Sequence, residues 1–269
     1  MKLTVAAAIA MALAIAATTA SAGVVVTEAV TRKDQKGVEH KSEQTIMVEG
    51  HKQKVINGEQ VYMIDLDAGK MTIMRTSNKL FAPGPFPPVG IFARVLARDG
   101  IAVGFKKAAS APHKLNGYLC QDYLGGQTIA HANIGVIECV SSDAPGAKEF
   151  TDFRRAMAAK LKGTPLAPNG DVPDGIPVAT LTTVTMVAFA ATGGISPDYL
   201  AKLQADYNKH PGVTGLNVTK IEVKDIPPET FTVPADYVKR EMPNPQPKMI
   251  QGRGGQPVPV PPPSMPKPQ

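Results

Sequence analysis

The fold of this chain is decided by residues 61–74, whose sequence is VYMIDLDAGKMTIM. Two apolar-rich segments, 61–66 and 71–74, flank a short turn at residues 67–70. Gly69 in this turn can adopt the positive φ that a tight turn requires. Two short strands joined by a tight turn pair antiparallel, so this stretch predicts a β-hairpin within an antiparallel sheet.

Alternating apolar and polar residues extend the same pattern on both sides of the hairpin. Residues 24–30 (VVVTEAV) and 45–49 (TIMVE) predict strands, and Asn57-Gly58 predicts another tight turn. Three segments with apolar residues at helical spacing predict helices. The further predicted strands are 101–105, 117–124, 135–140, 178–190 and 216–223, and the predicted helices are 91–98, 147–162 and 196–210. Many strands and few helices predict one α+β domain over residues 23–240.

The N-terminus has the pattern of a cleavable signal peptide, predicted at residues 1–22. Lys2 precedes an apolar run from Val5 to Ala17, and a small-residue cleavage site ends at Ala22. The run is too short for a transmembrane helix, which needs about 20 apolar residues. The first cysteine is Cys120, so no residue near the cleavage site can be acylated. We therefore expect a periplasmic or secreted protein that does not span a membrane once the signal is cleaved.

The composition indicates a basic chain with an extended C-terminal tail. The formal net charge is +6, which favours anionic surfaces, but the Lys and Arg residues are scattered rather than grouped with aromatics. This pattern, together with export, excludes nucleic acid as an expected partner. Residues 241–269 are rich in Pro, Gly and Gln and are predicted to be disordered or to form polyproline II, because they bury too little apolar surface to offset the entropy of ordering.

The two cysteines, Cys120 and Cys139, lie in consecutive predicted strands separated by a turn-rich stretch. Consecutive strands joined in this way usually pair antiparallel, which can place the two side chains opposite each other. An oxidising compartment then favours a disulfide. Two buried free thiols are the alternative. A redox role is not expected, because the spacing is not C-x-x-C.

Several short motifs, in their order along the chain, resemble an exported domain family that is grouped with the bacterial lipoprotein carriers of the LolA/LolB type. Residues 117–123 (GYLCQDY) are similar to that family's G-Y-x-C-x-x-Y strand. The second cysteine strand is matched by Glu138-Cys139, and the D-x-P-G helix entry by residues 143–146. Residues 62–65 (YMID) and 231–237 (FTVPADY) also fit. The likeness covers most of residues 24–240.

The resemblance implies a curved antiparallel sheet that forms a half-open barrel, with a few helices covering its concave side and an apolar cavity between them. In the carrier relatives that cavity holds acyl chains. This sequence departs from the pattern at two places: the segment 191–215 looks like a helical insertion, and the proline-rich tail is additional.

Candidate residues for the lining of an apolar cavity come from the predicted hairpin and the helix at 147–162. They are Tyr62, Ile64, Phe150, Phe153 and Met157. Phenylalanine and methionine between a sheet and a helix form an adaptable apolar pocket. Ordinary core packing is the alternative explanation for the same residues.

No catalytic motif stands out, so no catalytic residue, metal site or cofactor is predicted. The five histidines show no ligand spacing, and the chain has no nucleophile elbow or phosphate-binding glycine loop. Asp65 and Asp67 could be a catalytic carboxylate pair, but at a hairpin rim aspartate more often stabilises the turn.

Two functions from different classes remain. The first is an exported, non-enzymatic binding or carrier protein that holds a lipid or other apolar ligand between sheet and helices. The alternative is a cell-envelope interaction or scaffold protein that uses its basic surface and proline-rich tail to contact an envelope protein or an anionic surface. A hydrolase that uses Asp65 and Asp67 is the least favoured hypothesis.

Overall fold

The structure, a computed structural model, describes residues 22–34, 36–89, 92–93, 96, 104–129, 132–186, 197–240, 249–251 and 257–259. Almost all of the predicted signal peptide, most of the predicted helix at 91–98 and most of the proline-rich tail lie outside these residues.

Within the described residues, thirteen strands form one sheet and two further strands form a separate pair. The strands are β1 (Gly23–Lys33), β2 (Glu39–Glu49), β3 (Lys52–Asn57), β4 (Gln60–Asp65), β5 (Lys70–Arg75), β6 (Leu80–Pro85), β7 (Phe105–Lys107), β8 (His113–Leu115), β9 (Tyr118–Ile129), β10 (Ala132–Ser141), β11 (Ile176–Met186), β12 (Gly212–Lys224), β13 (Val238–Lys239), β14 (Met249–Gln251) and β15 (Pro257–Pro259). The helices are α1 (Ala147–Leu161), α2 (Pro197–Lys209) and a short 3₁₀ helix, Pro228–Phe231.

The strands of the large sheet follow the order β13-β6-β5-β4-β3-β2-β1-β12-β11-β10-β9-β7, and β8 also pairs with β9. The pairs are antiparallel except β13 with β6. The predicted hairpin is confirmed: β4 pairs with β5 in a register that places Ile64 opposite Met71 and Asp65 opposite Lys70.

The predicted fold class, an α+β half-open barrel covered on its concave side by a few helices, is wrong. Of the described residues, 53% lie in strands and 16% in helices, and most of the strands form a single large curved sheet. The strands are long, up to the 13 residues of β12, and their side chains fill most of the core themselves. Among the described elements, α1 buries a full side-chain stripe against the sheet.

The face of the sheet that contacts α1 carries the main core, and we call it the inner face. On β1 the period-two pattern places Val24, Val26 and Val30 there, and all three are fully buried. Val48 lies opposite Val24 on β2. From α1, Phe153 is the most deeply buried aromatic side chain of this core. Val25, on the opposite face, is buried as well, so both faces of the first part of β1 are covered.

A glycine allows α1 to begin close to β1. Gly146, the residue before the helix, has φ +76°, a conformation that side chains other than glycine rarely adopt. A Cβ at this position would lie 2.6 Å from Cγ2 of Val24. The close contact holds the first turn of α1 against the inner face, which directs Phe150 and the residues that follow it toward the core.

The C-terminal end of the described domain crosses the opposite, outer face of the sheet. Val61, Met63 and Met74 form a second apolar cluster there, against which Val233 and Tyr237 pack. Lys54 Nζ donates a hydrogen bond to the carbonyl of Thr230, at 2.8 Å. Residues 226–240 therefore cover the outer face of β3 to β6.

The segment 191–215, predicted as a helical insertion, contains α2 and the first residues of β12. β12 pairs with both β1 and β11, so its residues belong to the centre of the sheet. In the proline-rich tail, β14 and β15 pair with each other.

The structure contains the predicted disulfide. Cys120 on β9 and Cys139 on β10 are bonded, with a Cα–Cα distance of 5.3 Å, and both side chains are buried. The two strands pair antiparallel, with Cys139 opposite Asp122, so the bond joins diagonal neighbours on the same face.

Replacing both cysteines by alanine is expected to lower the free energy of unfolding by about 3 kcal/mol, because the bond closes a loop of about 20 residues. Denaturant unfolding of the purified variant at neutral pH measures this change. A dithiol reductant should destabilise the wild type by a similar amount and leave the double variant unaffected. Equal midpoints for variant and wild type would contradict the prediction.

Candidate functional site

A small cavity of about 80 Å³ lies between the inner face and α1. Side chains of β1, β2 and β3 line one side, those of β10, β11 and β12 line the other, and α1 closes it. The curvature of the sheet therefore brings together strands that are not neighbours. The lining residues are Glu28, Gln44, Ile46, Gln53, Val55, Val136, Glu138, Phe150, Arg154, Pro177, Thr180 and Leu216.

One ion pair in the cavity is almost completely withdrawn from water. Arg154 Nη2 of α1 donates to Oε2 of Glu138 on β10 at 2.9 Å, and the two side chains are 12% and 8% exposed. The guanidinium carbon also lies 5.5 Å from the centroid of the Phe105 ring, within the range of a cation–π contact. Burial raises the pKa of Glu138, and the charge of Arg154 and its hydrogen bond oppose that rise.

A second buried carboxyl, Glu28 on β1, has no cationic partner among the described residues. Gln44 Nε2 donates to its Oε2 at 3.0 Å, and Asn57 Nδ2 donates to Gln44 Oε1 at 3.1 Å. The pKa of Glu28 is raised to about 7, mainly by burial. The hydrogen bond from Gln44 lowers this pKa, and the negative charge of Glu138 raises it further. Glu28 therefore changes charge near neutral pH.

Two polar atoms at this cavity are buried and have no hydrogen-bond partner within the described part of the chain. One is Oε1 of Gln53, a residue that is 5% exposed, and the other is Nη1 of Arg154. Buried polar atoms are nearly always hydrogen-bonded in folded proteins. An acceptor and a donor without partners at one cavity indicate a place for a polar group that is not part of the protein.

A surface groove of about 280 Å³ adjoins the cavity. Gln44 and Leu216 line both spaces, so the groove and the cavity lie side by side. Its remaining walls come from β1, β2, β3, β11 and β12, and Arg32 and Lys33 lie at its exposed end.

The residues predicted to line an apolar cavity are all buried. Four of them, Ile64, Phe150, Phe153 and Met157, belong to the same core cluster. The fifth, Tyr62, donates a hydrogen bond from its hydroxyl to Oε1 of Gln60 at 2.5 Å. Of these five residues, Phe150 lines the cavity described above. Their role as a ligand-contacting surface stays a prediction.

Asp65 and Asp67, considered as a catalytic carboxylate pair, take part in local structure. Asp65 Oδ1 accepts a hydrogen bond from the backbone N–H of Ala68 at 2.8 Å, and Asp67 Oδ1 lies 2.7 Å from Nδ1 of His51. The first contact is the usual stabilisation of a turn by aspartate.

One group of side chains has the atom spacing of a metal site. Nε2 of His113 lies 3.6 Å from Sγ of Cys139, and Cys120 completes the group. Because both sulfurs are joined in the disulfide, neither is a thiolate, which is the form that binds metal. The oxidised protein therefore offers only His113 as a strong ligand here.

Sequence reasoning missed the polar residues of the cavity, Glu28, Gln44, Gln53, Glu138 and Arg154. The burial of the two glutamates could have been predicted from the strand pattern, in which every second side chain lies on the same face of the sheet. Glu28 shares the inner face of β1 with Val24 and Val26, and Glu138 shares the inner face of β10 with Val136.

Comparisons with known proteins identify no family. No family model matches the chain, and no curated protein matches it. Similar solved structures include PNGF-II in two crystal forms, P2₁ and C2, each with a TM-score of 0.38 and 10% sequence identity over 82% of this chain. The match covers 32% and 31% of the two PNGF-II chains, so this chain spans about a third of their length.

A LolA superfamily protein, NE2245 from Nitrosomonas europaea, is also among the similar structures. Its TM-score is 0.28 with 10% identity, and the match covers 79% of this chain and 90% of that one. These scores establish neither membership of that superfamily nor a function for this chain. Separately, none of the helices in the described residues has the length and apolarity needed to cross a bilayer.

Proposed function

We propose that this chain is an exported, non-enzymatic binding or carrier protein that holds a small ligand, apolar over most of its surface, between the inner face of the sheet and α1. The observation that carries the proposal is the cavity itself. Its lining is half apolar and half polar, and it contains two buried polar atoms that have no hydrogen-bond partner among the described residues. Binding sites for small molecules commonly combine apolar side chains with a few polar groups.

The volumes of the cavity and the groove limit how much of a ligand each can hold. The cavity of about 80 Å³ is far smaller than the roughly 300–1,000 Å³ typical of small-molecule sites. The adjoining groove of about 280 Å³ provides further room. A lipid or other apolar ligand would therefore place its body along the groove and only one end in the cavity, against Phe150 and Val136.

Export is supported by the N-terminal sequence and by the disulfide. Residues 1–22 have the pattern of a secretory signal. The bond between Cys120 and Cys139 requires an oxidising environment to persist, such as the periplasm or the extracellular space.

The proposal is tested by filling the cavity. Thr180 on β11 is half-buried and lines the cavity, while its neighbour Leu181 is exposed on the outer face. Thr180→Phe is expected to weaken binding of the apolar dye N-phenyl-1-naphthylamine by about ten-fold or more, and Leu181→Phe should leave it unchanged. Fluorescence titration measures the binding, and native mass spectrometry of gently purified wild type tests for a ligand carried through purification.

The result that would overturn the proposal is a wild type that carries no ligand and does not bind the dye. Deleting residues 243–269 separates the carrier function from the scaffold alternative. The carrier proposal expects dye binding to survive the deletion. The scaffold alternative, which uses the basic surface and the tail to contact an envelope protein or an anionic surface, expects loss of localisation instead.

A further inference from the structure

We infer that the reduced form of this protein holds a zinc ion between His113, Cys120 and Cys139, so that the disulfide and a zinc complex are two states of one site. The three residues lie on β8, β9 and β10, and they are not among the residues that line the cavity or the groove. The inference therefore goes beyond the proposed function and does not depend on it.

The strand register brings the three side chains together. His113 on β8 lies opposite Cys120 on β9, and the disulfide joins Cys120 to Cys139 on β10. Residues directly opposite each other in a sheet share a face, so His113 approaches the sulfurs from the neighbouring strand. The candidate ligand atoms of all three residues lie within 4.8 Å of one another. Two cysteines and one histidine are a ligand set that zinc binds in proteins.

The spacing of the nitrogen and sulfur atoms fits a shared tetrahedral ion. Zinc binds sulfur at about 2.3 Å and histidine nitrogen at about 2.0–2.1 Å, so two such ligands of one ion are about 3.6 Å apart. Nε2 of His113 lies 3.6 Å from Sγ of Cys139. Two sulfurs on one zinc are about 3.8 Å apart. With the Cα atoms of the two cysteines 5.3 Å apart, their side chains reach that separation by rotation once the S–S bond is broken.

The carboxylate beside His113 is a second observation that points to a metal. Oδ2 of Asp122 lies 3.9 Å from Nδ1 of His113, and the hydroxyl of Ser110 donates a hydrogen bond to the same oxygen at 3.0 Å. Histidines that bind a metal through one ring nitrogen nearly always have a carboxylate, a carbonyl or water at the other. The negative charge of Asp122 favours the proton on Nδ1, which leaves the lone pair of Nε2 facing the sulfurs.

The change from disulfide to zinc complex is a two-electron reduction followed by binding. An external dithiol gives up two electrons and two protons and closes to its own disulfide, while the bond between Cys120 and Cys139 breaks to two thiols. Zinc then replaces the two thiol protons, which pass to water, and Nε2 of His113 donates its lone pair. The two thiolates cancel the charge of the ion, so no net charge is buried with the sulfurs. The side chain of His113 is 46% exposed, which lets a hydrated ion reach the group from solvent.

The test measures metal binding to the full mature chain at neutral pH. The chain is reduced with dithiothreitol, and the dithiol is removed by gel filtration under nitrogen. Reduced wild type is expected to bind one Co²⁺ per chain with thiolate-to-cobalt charge-transfer absorption, and Zn²⁺ should displace the cobalt. Oxidised wild type should show no charge-transfer absorption, because its sulfurs are not thiolates.

Three variants show which side chains hold the ion. His113→Ala removes a ligand and is expected to weaken zinc binding by about 100-fold or more, and Asp122→Asn should weaken it by about 10- to 100-fold. His40→Ala is the matched control and should leave the affinity unchanged: His40 lies on β2, and its Nε2 is also beside a carboxylate, 3.2 Å from Oδ2 of Asp34. Competition against a chelator of known affinity measures the dissociation constants.

Each contrary outcome overturns the inference in a recognisable way. Reduced wild type that binds no cobalt excludes the site. Equal affinities for His113→Ala and wild type show that the thiols hold the ion without the histidine, and equal binding by the oxidised chain places the ion elsewhere. Where reduction unfolds the chain, zinc is expected to restore the circular dichroism spectrum of the folded protein, and failure to restore it also excludes the site. None of these results bears on dye binding at the cavity.

Discussion

Replacing Arg154 by methionine is expected to lower the free energy of unfolding at neutral pH by about 3–5 kcal/mol, because it leaves a buried charge without its partner. Arg154 is the only cation near the carboxyl of Glu138 among the cavity residues, and the Glu138 side chain is 8% exposed. The cation–π contact with Phe105 is lost as well. Denaturant unfolding followed by circular dichroism measures the change.

Two further variants separate the loss of charge pairing from the loss of packing. In Arg154→Met combined with Glu138→Gln, most of the stability should return, because the unpaired charge is gone. Arg155→Met is the matched control: its partner is Asp174, both side chains are more than half exposed, and exposed ion pairs contribute about 0–1 kcal/mol. An Arg154→Met variant no less stable than Arg155→Met would contradict the prediction.

The parts of the fold that the sequence predicts are those set by neighbouring residues. The hairpin formed by β4 and β5 follows from the alternation of residues 61–74 and from Gly69, and the structure pairs Ile64 with Met71 as that turn requires. The disulfide follows from two strands that are consecutive in the chain. In both cases the partners are close in sequence, so the turn between them determines the pairing.

The number of helices that cover the sheet is a different kind of property. The sequence predicts three helices, whereas 53% of the described residues lie in strands and 16% in helices. Whether a helix covers a sheet depends on how strongly the sheet curves and how much of the inner face its own strands bury. Those quantities arise from contacts between strands far apart in the chain, such as β1 with β12.

The candidate site was partly visible in the sequence. Glu28 shares the inner face of β1 with the buried residues Val24, Val26 and Val30, and the unbroken register with β2 places it opposite Gln44. Because residues two apart in a strand lie on the same face, the buried valines predict that the carboxyl of Glu28 is buried as well. This pattern does not predict that Glu138 lies at the same cavity, because β12 and β11 separate β1 from β10 in the sheet. Only the curvature of the whole sheet brings the two glutamates together.

The stability of the protein is expected to fall as pH rises from about 4.5 to about 7, with Glu28 as a main cause. Its pKa rises from the ordinary value of 4.5 in the unfolded chain to about 7 in the folded protein. The folded protein therefore retains a proton that the unfolded chain loses, so the stabilisation is complete below pH 4.5 and is lost as pH passes through 7. One pKa unit corresponds to about 1.4 kcal/mol, which gives a loss of about 3 kcal/mol in total.

Glu28→Gln tests this prediction because glutamine keeps the shape and can still accept the hydrogen bond from Gln44. At pH 8 the variant should exceed the wild type in free energy of unfolding by about 3 kcal/mol, and the difference should vanish near pH 4.5. Part of the decline with pH should persist in the variant, since burial also raises the pKa of Glu138. Glu43→Gln, at an exposed site on β2, should follow the wild-type curve. A difference between Glu28→Gln and wild type that is the same at every pH would mean that the effect is one of packing and that Glu28 does not ionise in this range.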